Sequence, residues 1–590
     1  MDKERAHNGI SRLLKWGVWL RAKTDLQGRF GIYVYAIIMG VLSAFIAVAF
    51  RYATKLIQKI LTGSAATAQL EAFSSIPKFR IILALGVGGL ISGAILSVAN
   101  KYGKKPATPY MEAVSIGNGY IPVKVNLLRT LASIITIGSG ASIGREGPLL
   151  QTAAVAASYA GRSLRLSVPR LRLAVACAAA GGMAAVFHTP LAGALFVGEI
   201  VIGVLTIDLL APLLLASCTS FLIVGALENA SPIYEALIPA IHYDFKLAVY
   251  CAILGLAASI AARFWLAALD GLEKLFNSKR NWLPAKLALA GVAVGCVAAY
   301  YPHILGNGAH IIRGIMSMSF DTEFLTRLFV LKIFAVAIFF GMGAVGGVLT
   351  PSLTLGCILG LLYSQLLCAA GFSDASMALP FAIIGMAAFF TTAAAAPITS
   401  ILLVIEFTMA GHLIFPLIMA VLVSYGTAKL LGTKGMYSSA LSGQPNDIYN
   451  RRLQDVKLID VFKKTTISAS LNTPFKDIAK KLLKNPMQNI YVVSAKGRYI
   501  GSIIPDDILS FIDDGADFQN AAIAYDIMRA DAPMLTPQMG LLEAIKIFYD
   551  RNAQEALPIV DPDTKILRGA VNKTDLLIIF NEITRREKLL

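Results

Sequence analysis

The chain of 590 residues is 56% hydrophobic and only 15% charged, with a mean hydropathy of +0.66. A soluble protein of this length carries about a quarter charged residues, so the composition excludes an ordinary string of soluble domains and implies a membrane protein. The net charge of +17 raises nucleic-acid binding as a function class. The basic residues, however, sit beside apolar runs. Lys3, Arg5, Arg12, Lys15, Arg21, Lys23 and Arg29 precede the first run, and Arg162, Arg165, Arg170 and Arg172 lie between two others. That placement suits the cytoplasmic Lys and Arg excess that orients membrane segments and argues against a nucleic-acid partner. The six cysteines form no Cys-x-x-Cys pair and the histidines no His-Glu-x-x-His motif, so no zinc site or disulfide framework is expected.

In chain order, residues 1–29 are a basic segment suited to an amphipathic helix on the cytoplasmic surface. The apolar run near 31–50 is too long for a signal-peptide core and no small-residue cleavage site follows, so it reads as a retained membrane helix. Apolar segments recur to about 432. Several are too short for a straight span or are broken by Gly and Pro, at 138–148 and 341–351 above all. A bilayer tolerates such breaks only where protein or a water-filled cavity satisfies the freed backbone, and two breaks in corresponding places point to a transport site. A repeat supports two related halves. Pro190-Leu-Ala-Gly-Ala-Leu-Phe-Val-Gly-Glu199 and Pro397-Ile-Thr-Ser-Ile-Leu-Leu-Val-Ile-Glu406 each place a Glu nine residues after a Pro, and each follows one of the breaks. Sequence alone leaves open whether the repeat is inverted.

The expected fold is an all-α polytopic membrane domain over 30–440, a linker at 441–454, and a small α/β tail. Within the tail, Tyr491–Val493 and Ile500–Ile504 read as strands and Phe475–Leu483 as an amphipathic helix. A second copy follows, with a helix at Leu541–Tyr549 and strands at Leu557–Val560 and Arg568–Val571. The tail is therefore a tandem repeat over 455–515 and 521–583. It contains no nucleophile–base pair, P-loop or metal cluster, and no enzymatic activity is expected of the chain.

The first break reads Gly138-Ser-Gly-Ala-Ser-Ile-Gly-Arg-Glu-Gly-Pro148, and Glu146 is the only acidic residue between Glu112 and Glu199. A lone carboxylate at membrane depth is expensive and marks a functional site. Glycines let the backbone approach an ion closely, and Pro148 suits the first turn of a new helix. The N–H groups and dipole at that helix start bind a small anion without a full positive charge. An ionised Glu146 would compete for the same place, and protonation would release it. The second break, Gly346-Gly-Val-Leu-Thr-Pro351, has the same construction without a carboxylate. Gly341-Met-Gly-Ala-Val-Gly346 fits Gly-x-Gly-x-x-Gly, but no acidic residue occurs from 324 through 373 and the flanks are membrane-like, which excludes dinucleotide binding.

Gly144-Arg-Glu-Gly-Pro148 matches the GREGP motif of the CLC chloride channel and transporter family, and Gly347-Val-Leu-Thr-Pro351 resembles its GxFxP motif, with Leu349 at the Phe position. Tyr437, in Gly435-Met-Tyr-Ser-Ser, matches the family's anion-capping tyrosine. The resemblance covers about 31–440. It implies chloride or another small anion as transported ligand, with Glu146 as gate and Arg145, Gly147, Val348, Leu349 and Tyr437 around the anion. It also implies a homodimer with one pore per subunit, in the cell membrane, with both termini cytoplasmic. Two positions depart from the pattern. Pro106 stands at the serine position of the family's GSGIP motif, which takes a hydroxyl from the central site and bears on chloride against nitrate selectivity. Ile200 stands where proton-coupled members usually carry an internal glutamate, which favours channel-like conduction. Glu199 offers an alternative proton route, so proton-coupled exchange of chloride or nitrate is the near alternative and secondary transport of an organic anion a distant one. The tail resembles a pair of CBS domains, which often regulate CLC proteins and commonly bind adenine nucleotides through an Asp. Asp507 and Asp575 match that position, but Ile504 and Asn572 replace the usual Ser or Thr. A structural tail and a nucleotide sensor both stay open.

Overall fold

The computed structural model describes residues 29–63, 69–102, 109–115, 117–164, 166–203, 205–228, 234, 241, 243–277, 282–317, 320–437, 456–462, 466–484, 489–504, 522–530, 533–550, 556–573, 575–577 and 579–580. The basic N-terminal segment before Arg29, Pro106, the linker at 441–454 and Asp507 lie outside them.

The chain divides into two compact units, one built mainly from Gly28–Gly161 and Leu171–Leu441, the other containing Ser442–Leu590. The first is helical. Its opening half runs α1 (Arg29–Thr62), α2 (Gln69–Ser74), α3 (Lys78–Tyr102), α4 (Tyr110–Ser115), α5 (Val123–Gly138), α6 (Glu146–Ser163), α7 (Val168–Phe187), α8 (Pro190–Phe196) and α9 (Ile207–Glu228). The second half runs α10 (Phe245–Asn277), α11 (Leu283–Ala298), α12 (Ala309–Met316), α13 (Thr322–Gly341), α14 (Leu349–Ala369), α15 (Ala378–Ala394), α16 (Pro397–Thr408) and α17 (Ile414–Leu430). Among the described residues, nine helices are long and apolar enough to cross a membrane, as a multi-pass protein requires.

The interruptions fall where the sequence places them. Helix α5 stops at Gly138 and α6 starts at Glu146, while α13 stops at Gly341 and α14 starts at Leu349. Pro148 and Pro351 thus occupy first turns, where a missing N–H costs nothing. Helices α7 and α15 are buried on nearly all sides and carry Ala- and Gly-rich sequences. In lipid, small residues let backbones approach for dispersion contacts. At Gly360 of α14 an added Cβ would lie 2.1 Å from the Phe381 carbonyl oxygen of α15, so only glycine fits there.

The second unit holds the two α/β copies. Strand β1 (Ile467–Ser470), helix α18 (Phe475–Lys484), β2 (Ile490–Val493) and β3 (Tyr499–Ile503) form the first. Its sheet order is β1-β2-β3, with β1 parallel to β2 and β3 antiparallel. The parallel step requires a crossover, which α18 supplies. The second copy contains α19 (Ala524–Ile527), α20 (Leu541–Asp550) and the antiparallel pair β4 (Ala556–Val560) and β5 (Leu567–Asn572), with Leu535 bridging parallel to Ile559 where the first copy has β1. Each copy has its own apolar core, Ile478, Ile490, Val492 and Ile503 in the first and Leu458, Leu541, Leu557 and Ile559 in the second. Strand β1 and the short helix α19 are the tail elements that the sequence reading missed. The four residues of β1, Ile-Ser-Ala-Ser, carry little apolar signal.

Candidate anion-binding site

The two Gly-rich breaks meet. Gly144 donates its N–H to the Gly347 carbonyl at 2.6 Å and Gly347 donates back to Gly144 at 2.7 Å, an antiparallel bridge between corresponding motif positions. Chain directions are opposed at the contact, so the two breaks are related by a local two-fold. Helices α6 and α14 therefore start side by side, and two helix N-termini brought together in one region favour an anion.

A carboxylate occupies that region. Glu146 is 2% exposed. Its Oε2 lies against the bare faces of both bridging glycines: a Cβ on Gly144 would sit 1.9 Å from it, and one on Gly347 2.5 Å. Its Oε1 accepts a hydrogen bond from Thr350 Oγ1, one residue into α14. The Asn307 side chain also faces the carboxylate, yet Oε2 has no well-formed hydrogen bond. The carboxylate is thus tethered at one oxygen and loosely held at the other.

Around this centre the structure brings together several of the sequence-selected residues. Gly147 follows Glu146 in the first turn of α6. Val348 caps α14, whose first residue is Leu349; both are buried. Tyr437 lies within electrostatic reach of Glu146 and packs edge-on against Phe196, ring centroids 5.6 Å apart. Arg145 is half-buried and interacts electrostatically with Arg51 and His188. A cavity of about 150 Å³ adjoins the break, lined by Asn126, Arg129, Gln151, Gly147 and Gly346 among others.

Glu199 is elsewhere. Its carboxylate accepts the N–H of Ile398 at 3.1 Å, the N–H of Thr399 at 2.7 Å and the Thr399 hydroxyl at 2.6 Å, so it caps the start of α16. Glu406 does the same for α8, accepting from Leu191 at 2.9 Å and Ala192 at 2.7 Å. Each half thus ends its Pro-to-Glu helix on the other half's helix start. Ile200 is buried in the π-helical turn Val197–Ile202. In the tail, Asp575 accepts a hydrogen bond from Asn572 Nδ2 at 3.2 Å.

Sequence reading missed Thr350, Asn307 and Tyr110. Tyr110, the first residue of α4, is buried and interacts with Tyr437, so a second phenol lies beside the first. It also missed Lys332, the only Lys or Arg between Arg327 and Lys429. Its isolation is the same signal that selected Glu146.

The voltage gated chloride channel family profile matches residues 88–429, and CBS domain profiles match 458–514 and 524–582. The chain belongs to the voltage-gated chloride channel (CLC) family. The ClcB-like protein of Ralstonia nicotianae is 35% identical over 419 residues, spanning 70% of this chain and 96% of that protein. The voltage-gated ClC-type chloride channel ClcB of Escherichia coli K12 is 29% identical over 416 residues, spanning 68% and 96%. Among solved structures, a slow cyanobacterial Cl−/H+ antiporter superposes with a TM-score of 0.61 at 22% identity, over 70% of this chain and 97% of that one. A eukaryotic CLC transporter gives 0.62 at 16%, over 92% and 97%. These two show the fold. As a CLC protein the chain is a multi-pass membrane protein of the chloride channel and transporter class with a C-terminal CBS pair.

Proposed function

We propose that the chain conducts chloride passively through the site between α6 and α14, gated by Glu146 and regulated by its CBS tail. The observation that carries this reading is the Glu146 carboxylate lying in the glycine cradle of Gly144 and Gly347, where two helix starts favour a negative charge. Protonation removes the charge that holds it there, and a chloride then takes its place. Arg145, Gly147, Val348, Leu349 and Tyr437 surround the anion. Chloride flux into proteoliposomes tests the gate: wild-type flux rises with acidification, whereas Glu146→Gln conducts at all pH values. A Glu146→Gln protein with wild-type pH response rejects the assignment.

Passive conduction is favoured over proton exchange because Ile200 cannot carry a proton and both Glu199 oxygens are engaged at the α16 start. A reversal potential that follows chloride alone under opposed chloride and pH gradients supports the channel; one displaced by the pH gradient supports the antiporter. We further propose a homodimer in the cell membrane with cytoplasmic termini, and a chloride against nitrate preference set at Pro106. Adenine-nucleotide binding by the tail is supported by its CBS membership alone, with Asp507 and Asp575 as ribose partners. Titration of the full-length protein with ATP tests it.

A further inference from the structure

Lys332 of α13 is completely buried at membrane depth. A buried ammonium there demands partners, and no carboxylate pairs with it among the described residues. Its Nζ instead donates to two backbone carbonyls of one loop, Ile304 at 2.9 Å and Gly306 at 2.6 Å. That loop reaches the gate from both sides. Gly306 donates its N–H to the carbonyl of Gly140, inside the first Gly-rich break, at 3.0 Å. Asn307, the next residue, turns its side chain to the Glu146 carboxylate. Gly308, at φ 96°, packs on Thr354, and Thr354 bonds the carbonyl of Thr350, the residue whose hydroxyl holds Glu146.

We propose that Lys332 is a positioning residue of the gate. Its ammonium pins the 304–308 loop so that the Asn307 side chain stands beside the Glu146 carboxylate, stabilising the closed, ionised form. This rests on the reading of Glu146 as the gate. Charge-assisted hydrogen bonds from a pinned donor are stronger than those from one free to rotate away, and a fixed amide at a developing or vanishing charge acts without reorganisation. The titratable and charged groups in reach are few. His310 and, through it, His303 and Arg313 face Lys332 from α12 and its preceding loop. Arg145, Tyr234 and Tyr437 face Glu146. None of these changes in the variants below.

The test is the pH profile of chloride flux in proteoliposomes of the full-length protein. Lys332→Met should move the half-activation pH upward by about one unit, a tenfold easier protonation of Glu146. Lys332→Arg, which retains charge and donors, should hold the wild-type midpoint. Asn307→Ala should give the same upward shift as Lys332→Met, and the double variant no further shift, because both act through one contact. If Lys332→Met does not assemble, Lys332→Gln is measured; it keeps a single donating head group and should shift the midpoint partway. A midpoint unmoved in Lys332→Met or Lys332→Gln, or shifts that add fully with Asn307→Ala, overturn the latch while leaving the gate intact. Glu146→Gln separates the two readings: a flat profile keeps the gate, whereas a retained pH response overturns the gate and the latch with it.

Discussion

Gly144 and Gly347 exchange two backbone hydrogen bonds, and the side chain of Glu146 lies across both of them. The pairing joins the two halves of the membrane domain at corresponding motif positions, and the absent side chains leave a cradle the size of a carboxylate oxygen. The same contact thus fixes the geometry of the two helix starts and defines where a charge can rest between them.

Gly347→Ala should open the gate. The added methyl first meets Glu146 Oε2, at 2.5 Å, and only then the Gly147 nitrogen at 3.1 Å. The side-chain end is the part able to move. Overpacking of this kind costs about 1–3 kcal/mol, charged to the closed state alone, so chloride flux at neutral pH should rise roughly tenfold and its dependence on acid should weaken. Unchanged flux at neutral pH would show that the carboxylate rests elsewhere. Gly144→Ala is a harsher change, since its methyl would also come within 2.9 Å of the Gly347 carbonyl and strain the bridge itself.

Glu199 and Glu406 should matter to assembly rather than to conduction. A glutamine offers one acceptor where the carboxylate offers two, and its amide N–H₂ faces backbone donors. Losing a charge-assisted bond of this kind costs about 1.5–3 kcal/mol. Glu199→Gln should be the costlier by about 1 kcal/mol, because the Thr399 hydroxyl gives it a third bond that Ala192 does not give Glu406. Thr399→Val should erase that difference. Thermal unfolding in detergent ranks the variants, and a reversal potential equal to wild type in Glu199→Gln is the expected sign that no proton passes there.

Much of this site is legible in the sequence because it depends on residue types that are costly at membrane depth. Glu146 is conspicuous by its isolation, and the Pro and Gly positions mark both helix starts. The repeat of Pro190–Glu199 in Pro397–Glu406 is visible as text, but its consequence is not. That each Glu caps the other half's helix requires the two halves to pair reciprocally in space, which no one-dimensional pattern records. Glu199 therefore reads as a free acid in sequence and is a fully bonded cap in the fold. Thr350 and Asn307 are missed because a Thr and an Asn in apolar surroundings are common, and only the approach of two segments 204 residues apart in the case of Thr350 gives the hydroxyl its partner. In the tail, helix periods and apolar strands are easily read, whereas β1 is held by its parallel pairing to β2 and not by its own composition.

Tyr110 should bear on anion affinity. It is buried beside Tyr437, so a single hydroxyl deletion leaves a second phenol nearby. Tyr437→Phe should raise the chloride concentration for half-maximal flux about fivefold, the worth of one hydrogen bond near 1 kcal/mol. Tyr110→Phe with Tyr437→Phe should raise it further. Pro106→Ser should shift the nitrate to chloride flux ratio toward chloride in the wild-type and Tyr437→Phe backgrounds alike. Equal half-saturation in the wild type and the double tyrosine variant would remove both tyrosines from the anion path.

The tail carries a local acid-sensitive turn. Asp561 follows β4, and its Oδ1 accepts the N–H groups of Asp563 and Thr564, each at 3.2 Å, while its Oδ2 accepts Arg568 Nη2 at 2.8 Å. The Arg568 guanidinium, aided by those N–H groups, holds the carboxyl down at about 2. A folded-state value below the unfolded one means that the stabilisation is fully present above the ordinary aspartate range near 3.9 and is lost as pH falls toward 2. The turn should therefore be indifferent to pH from neutrality down to about 5 and loosen progressively below about 4. Hydrogen exchange of the β4–β5 segment in the full-length protein, taken as the ratio of Asp561→Asn to wild type, reads this directly. The ratio should exceed one at pH 5 and above, where only the wild type has the carboxylate. It should fall as pH drops from about 4 toward 2 and approach one only below about 2, where the Asp561 carboxyl is itself protonated. A ratio that does not change between pH 5 and pH 2 would mean that the Arg568 contact does not hold the turn. Arg568→Met should reproduce the Asp561→Asn behaviour in part, because the two backbone bonds to Oδ1 survive it.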